Sequence, residues 1–241
     1  MIEVGGLADD QRALLAALWQ SRADSESSVR VVFDQLVAEL VATGARTEVV
    51  ALARRAAEDE VRHARICVEL AAAYRGEPAA VTPAPAVRLP DYVADARLRA
   101  ALHALNLCCI GETIATGFVE ACVAACAGGE LEDIHRRHFA DEIHHARVGW
   151  AHIASLSRED RAALAPFIEA ILRAQVTAWE SRIAELPEHG VPGHGYPPRA
   201  ELVAAIYAAV RDVVLPGFAH VGVDASTAAA WFETHARTHV P

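Results

Sequence analysis

Aromatic residues make up only 6% of this 241-residue chain, and runs of β-branched residues are short. Both shortages argue against a sheet-built core, and the excess of Ala, Leu, Val, Glu and Arg favours an all-α fold. Basic runs are missing too: none exceeds Arg54-Arg55 or Arg136-Arg137, and the formal net charge is −10. A protein held by phosphate contacts needs a basic stripe, so no nucleic-acid partner is expected, and an anionic membrane surface is disfavoured. Met1 to Asp10 has neither the basic nor the apolar region of a secretory signal. The longest apolar candidate for a membrane span, Ala100 to Ala127, is interrupted by Glu112 and Glu120, so no membrane segment is expected. No C-x-x-C pair occurs. The five cysteines (Cys67, Cys108, Cys109, Cys122 and Cys126) lie in apolar helical context and read as small buried thiols of a cytoplasmic protein. Cys122 and Cys126 are four apart but lack the two further partners of a cysteine-only zinc site.

What the chain does have is helical periodicity broken by glycine and proline. It predicts a first helix from Asp9 or Asp10 to Thr43, with a break allowed near Ser21 to Asp24, and a second from Thr47 to Arg75. A proline-rich connection, Glu77 to Asp91, is long enough to return the chain to the other end of a bundle. A third helix is expected from Val93 to Ala127 and a fourth from Leu131 to Leu156. Ser157 then caps a fifth that ends near Leu186. After a Gly/Pro/His loop, Pro187 to Pro198, two more helices are expected, Arg199 to Leu215 and Ser226 to Thr238. Hairpin, long crossover, hairpin is the ferritin-like four-helix topology. Residues 1–157 would form that bundle, and residues 158–241 a helical extension packed on the same domain.

The chemistry lies in a doubled motif. Asp59-Glu60-Val61-Arg62-His63 and Asp141-Glu142-Ile143-His144-His145 are both D-E-x-x-H, on the second and fourth helices. With 20 Glu and 12 His in 241 residues, a bare E-x-x-H arises about once by chance, and a third does occur at Glu132 to His135. Requiring the preceding Asp lowers the chance expectation to roughly 0.05 per chain, so two copies carry information. Each is preceded by a Glu on the helix before it, Glu26 with 32 residues between and Glu112 with 28 between. The result is an internal repeat. Glu112 and Glu142 are about equidistant from Gly128-Gly129; Glu26 and Glu60 are less symmetric about Gly44.

At helical spacing, Glu26 continues the stripe of Val29, Phe33, Leu36 and Leu40, and Glu60 and His63 continue that of Leu52, Ala56, Cys67 and Leu70. Glu112 sits among Leu105, Cys108, Ala115 and Val119, and Glu142 and His145 follow Ile134. Glu39 and Asp34 fall off the first helix's stripe. Unpaired buried carboxylates cost several kcal/mol each, and the stripes show no matching set of Lys or Arg. Two metal ions would balance them. Carboxylate-rich sites with one imidazole per metal suit iron, with manganese as the alternative. Asp59 and Asp141 would orient ligand histidines through their other ring nitrogens.

These residues resemble the ferritin-like di-iron carboxylate proteins, in which two helices give one Glu each and two give Glu-x-x-His. The resemblance covers about Asp9 to Leu156 and implies metal roles for Glu26, Glu60, His63, Glu112, Glu142 and His145. The run His138-x-x-x-Glu142-x-x-His145 is similar to that of the p-aminobenzoate (arylamine) N-oxygenase family, which implies His138 as a further ligand. The chain is shorter than that family, with little room for extra substrate-binding elements. His152, one heptad after His145, faces the same channel or is a buried, hydrogen-bonded histidine; His144 lies beside the stripe.

The expected function is a non-haem di-iron oxygenase that activates dioxygen to oxidise a small molecule, with N-oxygenation of an amine suggested by the resemblance. It would need an external electron donor, and a homodimer is compatible with it. The alternatives are ferritin- or rubrerythrin-like iron oxidation or peroxide removal, and a non-catalytic interaction protein whose helices use metal for stability. The loop around His189, His194 and Tyr196 is either a lid over a substrate entrance or a plain surface connection.

Overall fold

The computed structural model describes residues 2, 4–82 and 87–239; Pro83 and Pro85 of the connection lie outside the described residues. The described chain is all-helical: α1 is Asp9–Ala42 and α2 is Thr47–Arg75. α3 is Ala96–Ala124, α4 Gly129–Ser155, α5 Arg158–Ala162 and α6 Ala165–Ala184. α7 is Arg199–His220 and α8 Ser226–His239.

α1 runs without the break allowed near Ser21 to Asp24, because Trp19, Ala23, Glu26 and Phe33 stay on one buried face at spacings of three, four and seven. Gly44 (φ +71°) turns the chain, and α2 returns along α1, burying Ala53, Ala56, Glu60, His63, Cys67 and Leu70. Gly76, at φ +79°, ends α2 in the left-handed conformation that glycine adopts without a Cβ penalty.

The crossover then lies along α1. Thr82 N–H donates to Asp24 Oδ1 (2.7 Å), Gln35 Nε2 to Val87 O (2.6 Å), and Leu89 N–H to Gln35 Oε1 (3.2 Å). His103 fastens its far end, with Nε2 at 2.7 Å from Pro90 O and Nδ1 at 2.5 Å from Glu39. Glu39, off the buried stripe as expected, thus pins the crossover.

The second hairpin departs from the sequence expectation in detail. α3 starts at Ala96, three residues late, because the Asp95 side chain caps it by accepting from Leu98 N–H. Its middle, Leu105–Glu112, is π-helical, a form found in short stretches and often at functional sites. Cys108, Cys109, Glu112 and Thr113 are all buried there. At Gly149 of α4 an added Cβ would stand 2.6 Å from Cys109 Sγ and 2.7 Å from Ala104 O, so glycine permits the close approach of α4 to α3.

The expected fifth helix is two, broken at Ala163-Leu164 ahead of Pro166 in the first turn of α6. α7 runs five residues past the expected Leu215, through a second π-helical stretch, Val210–Val214, with Pro216 in the turn after it. One apolar cluster links Leu102, Ile110, Ile153, Leu172, Ile206, Phe218 and Phe232, so the C-terminal helices share a core with α3 and α4. By length and composition α3 and α7 are apolar enough to cross a membrane, a property that core helices of globular proteins share. Much of that apolar surface is used against neighbouring helices.

Candidate metal centre

Two further apolar clusters bracket a polar layer between α1, α2, α3 and α4. Leu15, Trp19, Leu70 and Tyr74 lie on one side, and Phe33, Leu36, Ala53, Cys108 and Val148 on the other. All seven expected ligands are in this layer, each at most 9% exposed: Glu26, Glu60, His63, Glu112, His138, Glu142 and His145. They fall into two groups, Glu26/His63/His138/Glu142 and Glu60/Glu112/Glu142/His145, each with one donor atom per residue lying within 4.8 Å of the others. Glu142 belongs to both.

The aspartates exchange partners between the hairpins. His63 Nε2 lies 3.2 Å from Asp141 Oδ2, and His145 Nε2 lies 3.6 Å from Asp59 Oδ2. Arg62 ties the pair together, at 2.8 Å to Asp59 and 2.6 Å to Asp141. With Nε2 of His63 bonded outward to Asp141 and that of His145 turned toward Asp59, each Nδ1 points inward: that of His145 is 3.0 Å from Glu60 Oε1 and 3.4 Å from Glu142 Oε2. That of His63 is 3.7 Å from Glu60 and 3.9 Å from Glu142.

Titration follows from this geometry. Burial raises Glu112, with the neighbouring Glu142 and Glu60 adding to it, and burial likewise raises Glu26. Burial opposes the charge on Glu142 and Glu60 as well, but the hydrogen bond of His138 and the nearby imidazole of His145 for the first, and the nearby imidazoles of His145 and His63 for the second, hold both below the usual range. Burial also works against protonated His63, yet Asp141 and Glu60 raise it to about 9; Asp59, Glu142 and Glu60 raise His145. With protons alone, two imidazolium groups face two carboxylates, so the polar layer has a charge-balanced form without metal.

The fit to metal rests on orphaned atoms. Glu60 Oε2, His63 Nδ1, Glu142 Oε2 and His145 Nδ1 are all buried without a hydrogen-bond partner. Four unpartnered donors aimed at one another, in a mixed carboxylate–imidazole set, suit divalent or trivalent cations.

Arg22 is the residue that sequence reasoning missed. The stripes were read as holding no matching cation, yet Arg22, one turn before Glu26, places Nε 3.2 Å from Glu26 and Nη2 3.3 Å from His138 Nδ1. Its spacing of four from Glu26 was the available signal. Arg22 donates to His138 Nδ1, so the proton of His138 sits on Nε2, 2.6 Å from Glu142; burial and Arg22 lower this imidazole to about 4. His138 can ligate through Nε2 only if that proton leaves and Arg22 shifts.

His135, of the third E-x-x-H, is also buried, with neither ring nitrogen partnered, against Trp19 at 5.3 Å. It belongs to neither ligand group. His144 pairs with Arg147 outside the layer. Of the cysteines, all unpaired, Cys126 alone is half-buried, and its thiol donates to Cys122 O rather than joining a metal site. The 187–198 loop is neither a free lid nor a plain surface connection. Gly193 N–H donates to Ala125 O (2.7 Å), Ala127 N–H to Gly193 O (3.2 Å), and Tyr196 is buried against Trp19.

His152 lies outside the ligand groups, buried with Nδ1 unpartnered, in the wall of a cavity that Arg46, Arg97 and Asp160 also line. Burial lowers it from 6.5 to about 4. Between those two values the unfolded chain binds a proton that the folded chain does not, so stability falls as pH drops through that window. His152→Gln is expected to flatten this limb of a urea-denaturation series against pH; an unchanged slope would assign the acid sensitivity elsewhere.

No protein-family model, curated protein or solved structure matches this chain.

Proposed function

We propose that the chain is a ferritin-like four-helix bundle, with one long crossover and C-terminal helices, that works as a non-haem di-iron oxygenase on a small molecule. The observation that carries this reading is the pair of buried carboxylate–imidazole groups sharing Glu142. Glu26, His63, His138 and Glu142 would hold one ion, and Glu60, Glu112, Glu142 and His145 the other. Iron bound there would supply the electron chemistry that activates dioxygen, with electrons from an external donor.

The chain's own residues do the rest. Asp59 and Asp141 fix the histidine rings with Nδ1 inward, as outer partners of metal ligands do. His63 and His145 give up their Nδ1 protons when a cation enters. The apolar clusters on either side keep water from the layer. Amine N-oxygenation is the reaction suggested by the resemblance of the run His138-x-x-x-Glu142-x-x-His145 to that of the arylamine N-oxygenase family.

In a single-turnover test, ferrous-loaded protein is expected to consume roughly one dioxygen per metal pair and to pass labelled oxygen to an added amine, read by mass spectrometry. Uptake that only deposits ferric iron would favour iron handling instead. No uptake by metal-replete protein would end both readings.

A further inference from the structure

An apolar cavity lies between α3, α4 and α7, with a volume of about 630 Å³. That falls within the range of small-molecule sites, which are mostly apolar with a few placed polar groups. Three of its wall residues directly follow candidate ligands in sequence: Thr113 after Glu112, Ile143 after Glu142, and Ala146 after His145. The cavity therefore lies on the flank of the two helices, α3 and α4, that carry Glu112, Glu142 and His145.

Its shape has a cause. At Gly117 the backbones of α3 and α7 come so close that a Cβ would meet Ala209 Cβ at 3.0 Å and Ala205 O at 3.1 Å. Alanines line the gap beyond this contact, while Phe139 and Trp150 form its aromatic side. π-helical turns flank it on two helices: one ends at Glu112, just before Thr113, and the other carries Asp212 and Val213 of the rim.

Two observations point to a ligand. Thr113 Oγ1 is buried without a partner, although Thr116 Oγ1, also in the wall, makes the ordinary helical bond to Glu112 O at 2.7 Å. Leaving a buried hydroxyl unpaired is costly, and a turn of the Thr113 side chain about its Cα–Cβ bond would offer this hydroxyl to a hydrogen-bonding group in the cavity and remove that cost. The charged wall residues are few and mixed, namely Glu120, Arg147 and Asp212, with Asp212 already held by Arg211 at 2.8 Å. Nothing there makes a fork for a carboxylate or phosphate.

We infer that this cavity holds the substrate of the metal centre, and that the substrate is an uncharged, largely apolar molecule carrying one hydrogen-bonding group for Thr113. The inference rests on the oxygenase reading for the word substrate; the binding itself does not need metal. The test therefore uses metal-free protein with naphthalen-2-ol, naphthalene and naphthalene-2-carboxylate as probes, read by quenching of tryptophan fluorescence, Trp150 being in the wall.

Naphthalen-2-ol is expected to bind at least about tenfold more tightly than the carboxylate. Ala208→Phe, which fills the cavity from a half-buried position, is expected to weaken it by about tenfold or more, with Ala205→Leu as the milder filler should the first variant melt early. Thr113→Val is expected to weaken naphthalen-2-ol roughly three- to tenfold and to leave naphthalene unchanged. Equal binding of the carboxylate, binding indifferent to both fillers, or no binding of the neutral probes would overturn the inference. So would a dimer in sedimentation that Ala208→Phe dissociates, since the cavity would then be a contact between copies. Metal content of each variant is measured separately: a chain that binds the probes but no metal keeps the cavity and loses the oxygenase.

Discussion

Glu142→Ala is expected to empty both metal positions at once, taking the stoichiometry from about two ions per chain to near zero by elemental analysis. Glu142 alone is common to the two donor groups, and it is 3% exposed, so no water-filled path offers a ready replacement oxygen. Its Oε1 lies 2.6 Å from His138 Nε2 and its Oε2 3.4 Å from His145 Nδ1, so its loss also releases both rings. Glu26→Ala makes the contrast, since Glu26 belongs to one group only and its loss is expected to remove about one ion and spare the other. Circular dichroism of both variants checks that the helices persist. Equal losses from the two variants, or full metal retained by Glu142→Ala, would mean that the ions do not share this carboxylate.

Chelation is expected to lower the melting temperature by roughly 8–16 °C for each ion removed. An ion at a thousandfold excess over its dissociation constant stabilises by about 4 kcal/mol, and in a domain of this size each kcal/mol moves the midpoint by about 2–4 °C. The metal-free chain is still expected to be folded, because His63 and His145 hold protons where the cations would sit and face Glu60 and Glu142. Metal entry must displace those protons. Against the effect of burial, Asp141 and Glu60 raise His63 to about 9, so below that value metal affinity weakens as pH falls, and the gap between loaded and chelated melting curves is expected to widen as the buffer is made more alkaline. A chelated protein that melts with the loaded one, at every pH, would sink the metal reading.

Much of this was legible in the sequence because burial and charge conflict there visibly. Carboxylates on the stripes of Phe33 and Leu36, or of Cys67 and Leu70, mark a site whatever the fold around them, and the repeated D-E-x-x-H supplies the register. The long helices follow from period and from Gly44, Gly76 and Gly128, each at positive φ. What escaped has physical reasons too. A π-helical turn leaves no compositional mark, so the aim of Glu112 could not be read in detail. Arg22 was invisible to a search for matched sets of cations, since it acts singly, four residues from Glu26 and under the ring of Trp19 at 5.4 Å. Thr113 has nothing in its neighbourhood to separate its hydroxyl from that of Thr116. The break at Ala163-Leu164 did have a signal, Pro166, which the apolar period outweighed.

The exchange of aspartate partners has a further consequence. Asp59 meets His145 and Asp141 meets His63, which is the rule of an isologous contact: i touches j, and j touches i, as across a molecular dyad. Neither half of the chain contains a finished half of the centre, so a fragment bearing only one D-E-x-x-H would have its ring unanchored. The dyad is broken at Arg62, whose counterpart one repeat on is His144, and again on one flank. One repeat back from His138 stands Ala56, and one repeat on from Arg22 stands Cys108. An imidazole and a guanidinium would thus attend one cation and have no counterpart at the other, giving the pair a front and a back.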